Sequence, residues 1–299
     1  MAKRSNNINY QILALVSNNL KLARICNQCL TLTHKSFLIL FLFFQLSCEQ
    51  EYSWKLQQSN IQTLVVDGII TNENKAQSIK LSLVNSEINK PSVPLSAAGV
   101  SVSDSLSNYF FTESVSEPGS YFSAPFQAVV GKTYTLKVKY QTKVFSATAT
   151  MVPISKSGAI STYWDDSKQL FKFVPEATSE PIMIQTTYDW ISNPEYTSKY
   201  GSIKAGETFY FLNNVDASKI FAPEKEIIYF PAGTKIIRRQ YSLSTKHQAF
   251  LRSLLMETEW RGGVFDVQQG NVSTNISNGG LGFFGACMVV SDSLSVSKN

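Results

Sequence analysis

From Leu64 onward, apolar and polar positions alternate with the period of two that a half-buried β-strand requires. Residues 63–70 are apolar and β-branched, and 78–84 (Ser-Ile-Lys-Leu-Ser-Leu-Val) alternate strictly. Residues 99–104 alternate again. Tyr109-Phe110-Phe111-Thr112-Glu113 leads into a turn at Glu117-Pro118-Gly119-Ser120, and Tyr121-Phe122-Ser123 follows. Gly131-Lys132 opens 133–140, the cleanest alternation in the chain, and 144–151 closes the set. About seven short strands with turn signals at this spacing predict an immunoglobulin-like β-sandwich over 61–152. Pro153 ends it, because proline has no N–H to give to a central strand.

The second half is less regular. Residues 170–174, 182–188, 207–212 and 227–230 read as strands, and 235–241 as a further one. One helix is expected near 245–259. Ser244 is its N-cap, Phe250, Leu251, Leu254 and Leu255 form an apolar stripe at helical spacing, and Gly262-Gly263 ends it. A last strand runs from about Gly282 to Val290. The expected fold is all-β: the sandwich at 61–152, then a β-rich domain at 153–299 with one packed helix.

A different pattern precedes the strands. Lys35 flanks an apolar run from Phe37 to Phe44, followed by small Ser47, then Cys48 and Glu49. The run is shorter than the roughly 20 residues that span a bilayer. It reads as a secretory signal ending in a lipobox, with Gln45 where leucine is usual. On this reading residues 1–47 are removed and Cys48 carries lipid, palmitate included. Residues 48–60 are a polar tether between the membrane and the fold.

That cleavage changes the charge. The chain holds 27 Lys and Arg against 22 Asp and Glu. Lys3, Arg4, Lys21, Arg24 and Lys35 lie in the leader, which has no acid, so the remainder is balanced. A nucleic-acid-binding surface needs a basic patch or stripe, and none is expected here. Cys26 and Cys29 also fall in the leader. Cys287, between Phe283-Phe284-Gly285-Ala286 and Met288-Val289-Val290, reads as a small apolar core thiol.

Several segments occur in a specific order: Leu64-Val65-Val66-Asp67-Gly68-Ile69-Ile70-Thr71, Ala98-Gly99-Val100-Ser101-Val102-Ser103-Asp104, Pro118-Gly119-Ser120-Tyr121 and Gly131-Lys132-Thr133-Tyr134-Thr135-Leu136. Gln240-Tyr241-Ser242-Leu243-Ser244, Gly262-Gly263-Val264-Phe265-Asp266, Gly270-Asn271-Val272-Ser273-Thr274-Asn275-Ile276 and Gly282-Phe283-Phe284-Gly285-Ala286 complete it. Over about 61–290, with a weak middle at 160–235, this order resembles the Bacteroidota outer-membrane lipoprotein family called domain of unknown function 4249. The resemblance implies a surface or periplasm-facing lipoprotein, often encoded beside a TonB-dependent transporter. It brings no catalytic residues with it.

Candidate chemistry is sparse. After the leader one histidine remains, His247, on the first turn of the expected helix. Triads and histidine metal sites need a placed partner, so it reads as an ordinary helix-start residue. Asp165-Asp166, flanked by Tyr163-Trp164 and Ser167-Lys168, reads as a solvated turn. Asp104-Ser105-Leu106 and Asp292-Ser293-Leu294 fit a short O-glycosylation pattern, though Asp104 also suits a turn cap. Tyr163, Trp164, Tyr188, Trp190, Tyr196 and Tyr200 cluster in loop-like sequence. Exposed rings bind sugar faces or apolar peptide side chains, and the alternative is a satellite core under a long loop. The expected function is a non-catalytic binding or accessory lipoprotein of a TonB-dependent transport system, lipid-anchored at the outer membrane and cell-surface exposed. It needs neither metal nor cofactor. The alternatives are a structural or adhesive surface protein and a hydrolase with an unrecognised site.

Overall fold

Strict alternation in the first half builds one large sheet. The computed structural model describes residues 63–85, 90–176, 178–213, 217–262 and 270–297. The expected leader, the 48–60 tether, Cys48 and Val264-Phe265-Asp266 lie outside the described residues. Strands β1 (Leu64–Thr71), β2 (Lys75–Leu83), β3 (Val93–Pro94), β4 (Gly99–Ser103), β5 (Asn108–Glu113), β6 (Ser120–Phe126), β7 (Thr133–Tyr140) and β8 (Lys143–Thr150) come from this half. They are joined by β15 (Leu281–Cys287) in the order β15-β1-β2-β6-β5-β4-β7-β8, with β3 on β2. All seven expected strands are present.

Alternation decides which side of each strand is dry. In β7 the side chains of Tyr134, Leu136 and Val138 are buried, while those of Thr133, Lys137 and Lys139 are exposed. Leu64, Val66, Ile70, Ile79, Leu81, Val102 and Phe284 meet in the same core from across the sheet. Each such side chain contributes about 1.5–3 kcal/mol by leaving water. The buried tyrosines keep their hydroxyls bonded: Tyr121 Oη donates to Leu95 O at 2.9 Å, and Tyr134 Oη accepts from Val129 N at 2.8 Å. The sheet curls until its two end strands meet. An isolated parallel bridge joins Val152 to Cys287, and Asn275 Nδ2 reaches both Thr148 O and Phe284 O, at 3.3 and 2.8 Å.

The rest of the described chain forms two smaller sheets. One has the order β13-β10-β9, from β9 (Ser161–Asp165), β10 (Leu170–Val174) and β13 (Tyr229–Phe230). The other has the order β12-β11-β14-β16, from β11 (Ile182–Asp189), β12 (Lys204–Phe211), β14 (Lys235–Ser242) and β16 (Val289–Ser295). Phe171, Phe173, Tyr188, Trp190, Phe230 and Ile236 share the core between them. Three helices occur among the described residues: α1 (Pro194–Tyr200), α2 (Ala217–Ile220) and α3 (Thr245–Glu257). Helix α3 is the expected one, and Ser244 Oγ caps it by accepting from His247 N at 3.4 Å. The fold is all-β with helices packed on its sheets.

The chain leaves the large sheet after Thr150 and returns to it with β15. The expected last strand is two strands in two sheets, because the chain changes partner at Met288. Strand β15 runs parallel to β1, from Val65↔Leu281 to Thr71↔Cys287, and β16 pairs with β14. Polar groups stitch this junction. Asn72 Oδ1 accepts from Val289 N at 2.6 Å, and Arg239 bonds the Glu73 carboxylate. Ser59–Asn299 accordingly group as one compact unit.

Candidate functional site

Strand β12 ends the four-stranded sheet, and a cleft of about 940 Å³ lies along it. Lys204 to Thr208 and Tyr210 form one wall. Trp190 and Tyr196, Lys168 and Leu170, and the stretch from Lys225 to Tyr229 form the others.

Helix α1 sets the aromatic end. Asn193 caps it, its Oδ1 accepting from Tyr196 N at 3.0 Å, and Pro194 occupies the first turn, where a missing N–H costs nothing. Gly201 ends it at φ 68°, a left-handed conformation that disfavours other residues. Tyr196 is thereby set edge-on to Trp190, with ring centres 5.3 Å apart, and its hydroxyl donates to Tyr229 O at 2.6 Å. Trp190 is buried, and its Nε1 donates to Ser202 O at 2.6 Å.

Glu207 stands in β12 with its carboxylate bonded by the Tyr188 hydroxyl. Burial pushes both groups up, and for Glu207 the Tyr188 hydrogen bond and Lys225 work against that rise. Tyr188 stacks on Phe230 at 4.8 Å. Lysines line the same cleft. Lys168 Nζ sits 4.9 Å above the Tyr229 ring, Lys225 Nζ lies 5.9 Å from the Tyr210 ring and pairs with Glu259, and Lys199 and Lys204 line the rim. The cleft offers ring faces, cations and a strand edge, which together suit binding.

Of the six aromatics singled out from sequence, the structure brings Trp190 and Tyr196 to the cleft wall. Tyr188 lies beneath it in the core. Tyr163 and Trp164 are on strand β9, where a loop had been expected. Trp164 packs edge-on against Phe171 at 4.8 Å, and Tyr163 is exposed with Lys172 over its ring at 5.1 Å. Tyr200 ends α1, and its side chain is outside the described residues. Sequence reasoning missed Glu207, Tyr229 and the lysines. A lone carboxylate beside Thr208-Phe209-Tyr210-Phe211 was the readable signal.

The family profile described as Domain of unknown function (DUF4249) matches residues 49–293. The chain belongs to this family. No curated protein matches it. In this family member the cleft falls in the middle of the matched region, on residues 168–229 and Glu259.

Other candidates resolve into structural roles. His247 and Cys287, distant in sequence, meet with Nδ1 and Sγ 3.5 Å apart. Burial lowers His247 to about 4 and raises Cys287 to about 12, so both are neutral at neutral pH. A nucleophilic cysteine needs its thiolate, and this pair instead fills space, with His247 stacked on Phe283 at 4.7 Å. Asp165 Oδ1 accepts from Ser167 N, Ser167 Oγ and Lys168 N at 3.0, 2.6 and 3.2 Å, which closes a turn and lowers its pKa. Asp166 accepts from Trp164 Nε1 at 2.8 Å. Asp104 caps its turn through Leu106 N and Ser107 N, at 2.8 and 2.7 Å. Asp292 pairs with buried Arg238. Among the described residues, no three His, Cys, Asp or Glu side chains assemble as a metal site.

Proposed function

We propose that this protein is a lipid-anchored, non-catalytic binding or accessory component of a TonB-dependent transport system in the outer membrane of a Bacteroidota bacterium. The observation that carries the binding role is the cleft on β12, where rings of Trp190, Tyr196 and Tyr229 stand beside a rim of lysines. Such sites hold ligands through a few placed polar groups against apolar walls. The export-type segment from Lys35 to Glu49, with Cys48 as the lipid carrier, supports the location.

The test is purification of the native protein from detergent-solubilised outer membrane, with partners identified by mass spectrometry. A stoichiometric β-barrel transporter is expected, and recovery of the protein alone overturns the accessory role. Cys48→Ser is expected to move the protein out of the membrane fraction; continued retention there overturns the lipid anchor. A structural or adhesive role is the second reading. Phe110 and Phe122 favour it, since both stand on the solvent side of the large sheet. Envelope or matrix proteins in the same eluate, in place of a transporter, would select it.

A further inference from the structure

We infer that the free edge of β12 is a strand-addition site for an extended, acidic peptide segment. This inference names the ligand class of the cleft and rests on the binding role proposed for it.

Hydrogen-bond phase identifies the open groups. Trp190 N donates to Ile203 O at 3.0 Å, continuing the β11–β12 register by one residue beyond Asp189↔Lys204. In an antiparallel pair every second residue turns its N–H and C=O to the partner strand. Ala205, Glu207, Phe209 and Phe211 therefore face β11, and Lys204, Gly206, Thr208 and Tyr210 face outward. Both ends of this outward row are occupied. Ser202 Oγ accepts from Lys204 N at 3.3 Å and donates to Lys204 O at 2.6 Å, and Lys219 Nζ donates to Tyr210 O at 3.3 Å. Between them, the main-chain groups of Gly206 and Thr208 open on the cleft with no partner among the described residues.

Three features suit this gap to a second backbone. Gly206 sits at its centre, and glycine inside a strand marks places where another backbone approaches closely. A Cβ there would meet only Thr186 O, on the β11 side, leaving the outer side clear. Open edges are usually blunted by proline, bulges or inward charges. The β12 register runs unbroken through eight pairs and contains no proline, and its inward charge, Glu207, is held by Tyr188, whereas β3 ends in Pro94. The edge is also recessed, flanked by Tyr196 and Tyr229, where alternate side chains of an added strand would rest.

Charge selects the occupant. Lys168, Lys199, Lys204 and Lys225 line the cleft against Glu207, Glu226 and Glu259. Lys225 pairs with Glu259, and the four lysines exceed the three carboxylates by one charge, which favours an acidic segment over a basic one. Strand addition draws affinity from main-chain bonds and specificity from alternate side chains, here acidic ones.

The probe is a short end-blocked peptide of alternating valine and glutamate, added to the full chain and followed by amide hydrogen exchange. At ten times its dissociation constant it should slow exchange at Gly206 and Thr208 about tenfold. The same peptide N-methylated at alternate residues should bind at least tenfold more weakly, and a valine–lysine peptide should do likewise. Thr208→Pro, which removes one outward N–H, should weaken binding comparably; exchange on the unsubstituted protein decides the matter if that variant misfolds. Equal binding of the N-methylated peptide, binding without protection of Gly206 and Thr208, or no binding at millimolar peptide each overturns the inference. A transporter co-purifying with a protein that fails these tests would leave the accessory role standing and remove only the strand-addition site.

Discussion

The large sheet and the four-stranded sheet use the same chemistry to opposite ends. Around the first, the two end strands meet at the Val152–Cys287 bridge, and the outer edge of β8 is bonded by Ser277 and Asn275. Its core is apolar, and its buried tyrosine hydroxyls have fixed partners. The second sheet stays open at β12 and keeps charge inside. Arg238 is 1% exposed, with Nε and Nη2 on the Asp292 carboxylate at 3.0 and 2.6 Å and Nη2 on Gly158 O at 2.5 Å. A closed sheet commits its hydrogen bonds to stability; an open one leaves some for a partner.

Substitutions separate the two. Phe284→Ala in the closed core should lower stability by about 4 kcal/mol, read as a reduced urea midpoint. A small shift would mean the core collapses around the vacancy. Gly282→Ala should cost about 3 kcal/mol, since a Cβ there would stand 2.0 Å from Val66 O, at φ +82°. Gly206→Ala on the open edge should change stability by less than about 1 kcal/mol. If the two glycines behave alike, closure at β1–β15 is not what distinguishes the sheets.

The seam between them should respond to pH. His247 is held neutral by burial, with its pKa lowered to about 4 from 6.5. The unfolded chain therefore binds a proton that the folded one does not. Its contribution is complete above 6.5 and falls as pH drops toward 4, by about 2 kcal/mol between pH 6.5 and pH 5. Replacing it, as in His247→Gln, should flatten the stability–pH curve in that window; an unaltered slope would show that His247 does not carry the proton linkage. A modest effect is expected at the cleft, where Tyr196→Phe should cost about 1 kcal/mol through the lost hydroxyl bond to Tyr229 O. A larger loss would make Tyr196 chiefly a structural support.

Legibility follows the range of the interactions. The strands of 61–152 and helix α3 were readable because alternation and the Ser244 cap are local. Helix α1 had a local signal too, since Asn193-Pro194 supplies both cap and first turn, but its seven residues lie within an aromatic-rich stretch. Strand β9 was hidden by Asp165-Asp166, which close a tight turn at its end rather than mark a long loop. The break at Met288 had no local sign, because Phe283 to Val290 reads as one apolar run and only distant partners divide it. Aromatic clustering pointed to Trp190 and Tyr196, which line the cleft. It could not find the β12 edge, because which strand lies outermost is a property of sheet order rather than of any residue.

The pairing of β1 with β15 joins the two ends of the described chain. Contacts so far apart in sequence form late, after long loops have closed. A nascent chain cannot finish its largest sheet until Leu281 to Cys287 has been made and released. One cut short before Leu281 leaves β1 with a bare flank beside Ile70, open to proteases and to other strands. The last strand of the large sheet thus acts as a checkpoint, since only copies that extend past Cys287 can complete that sheet.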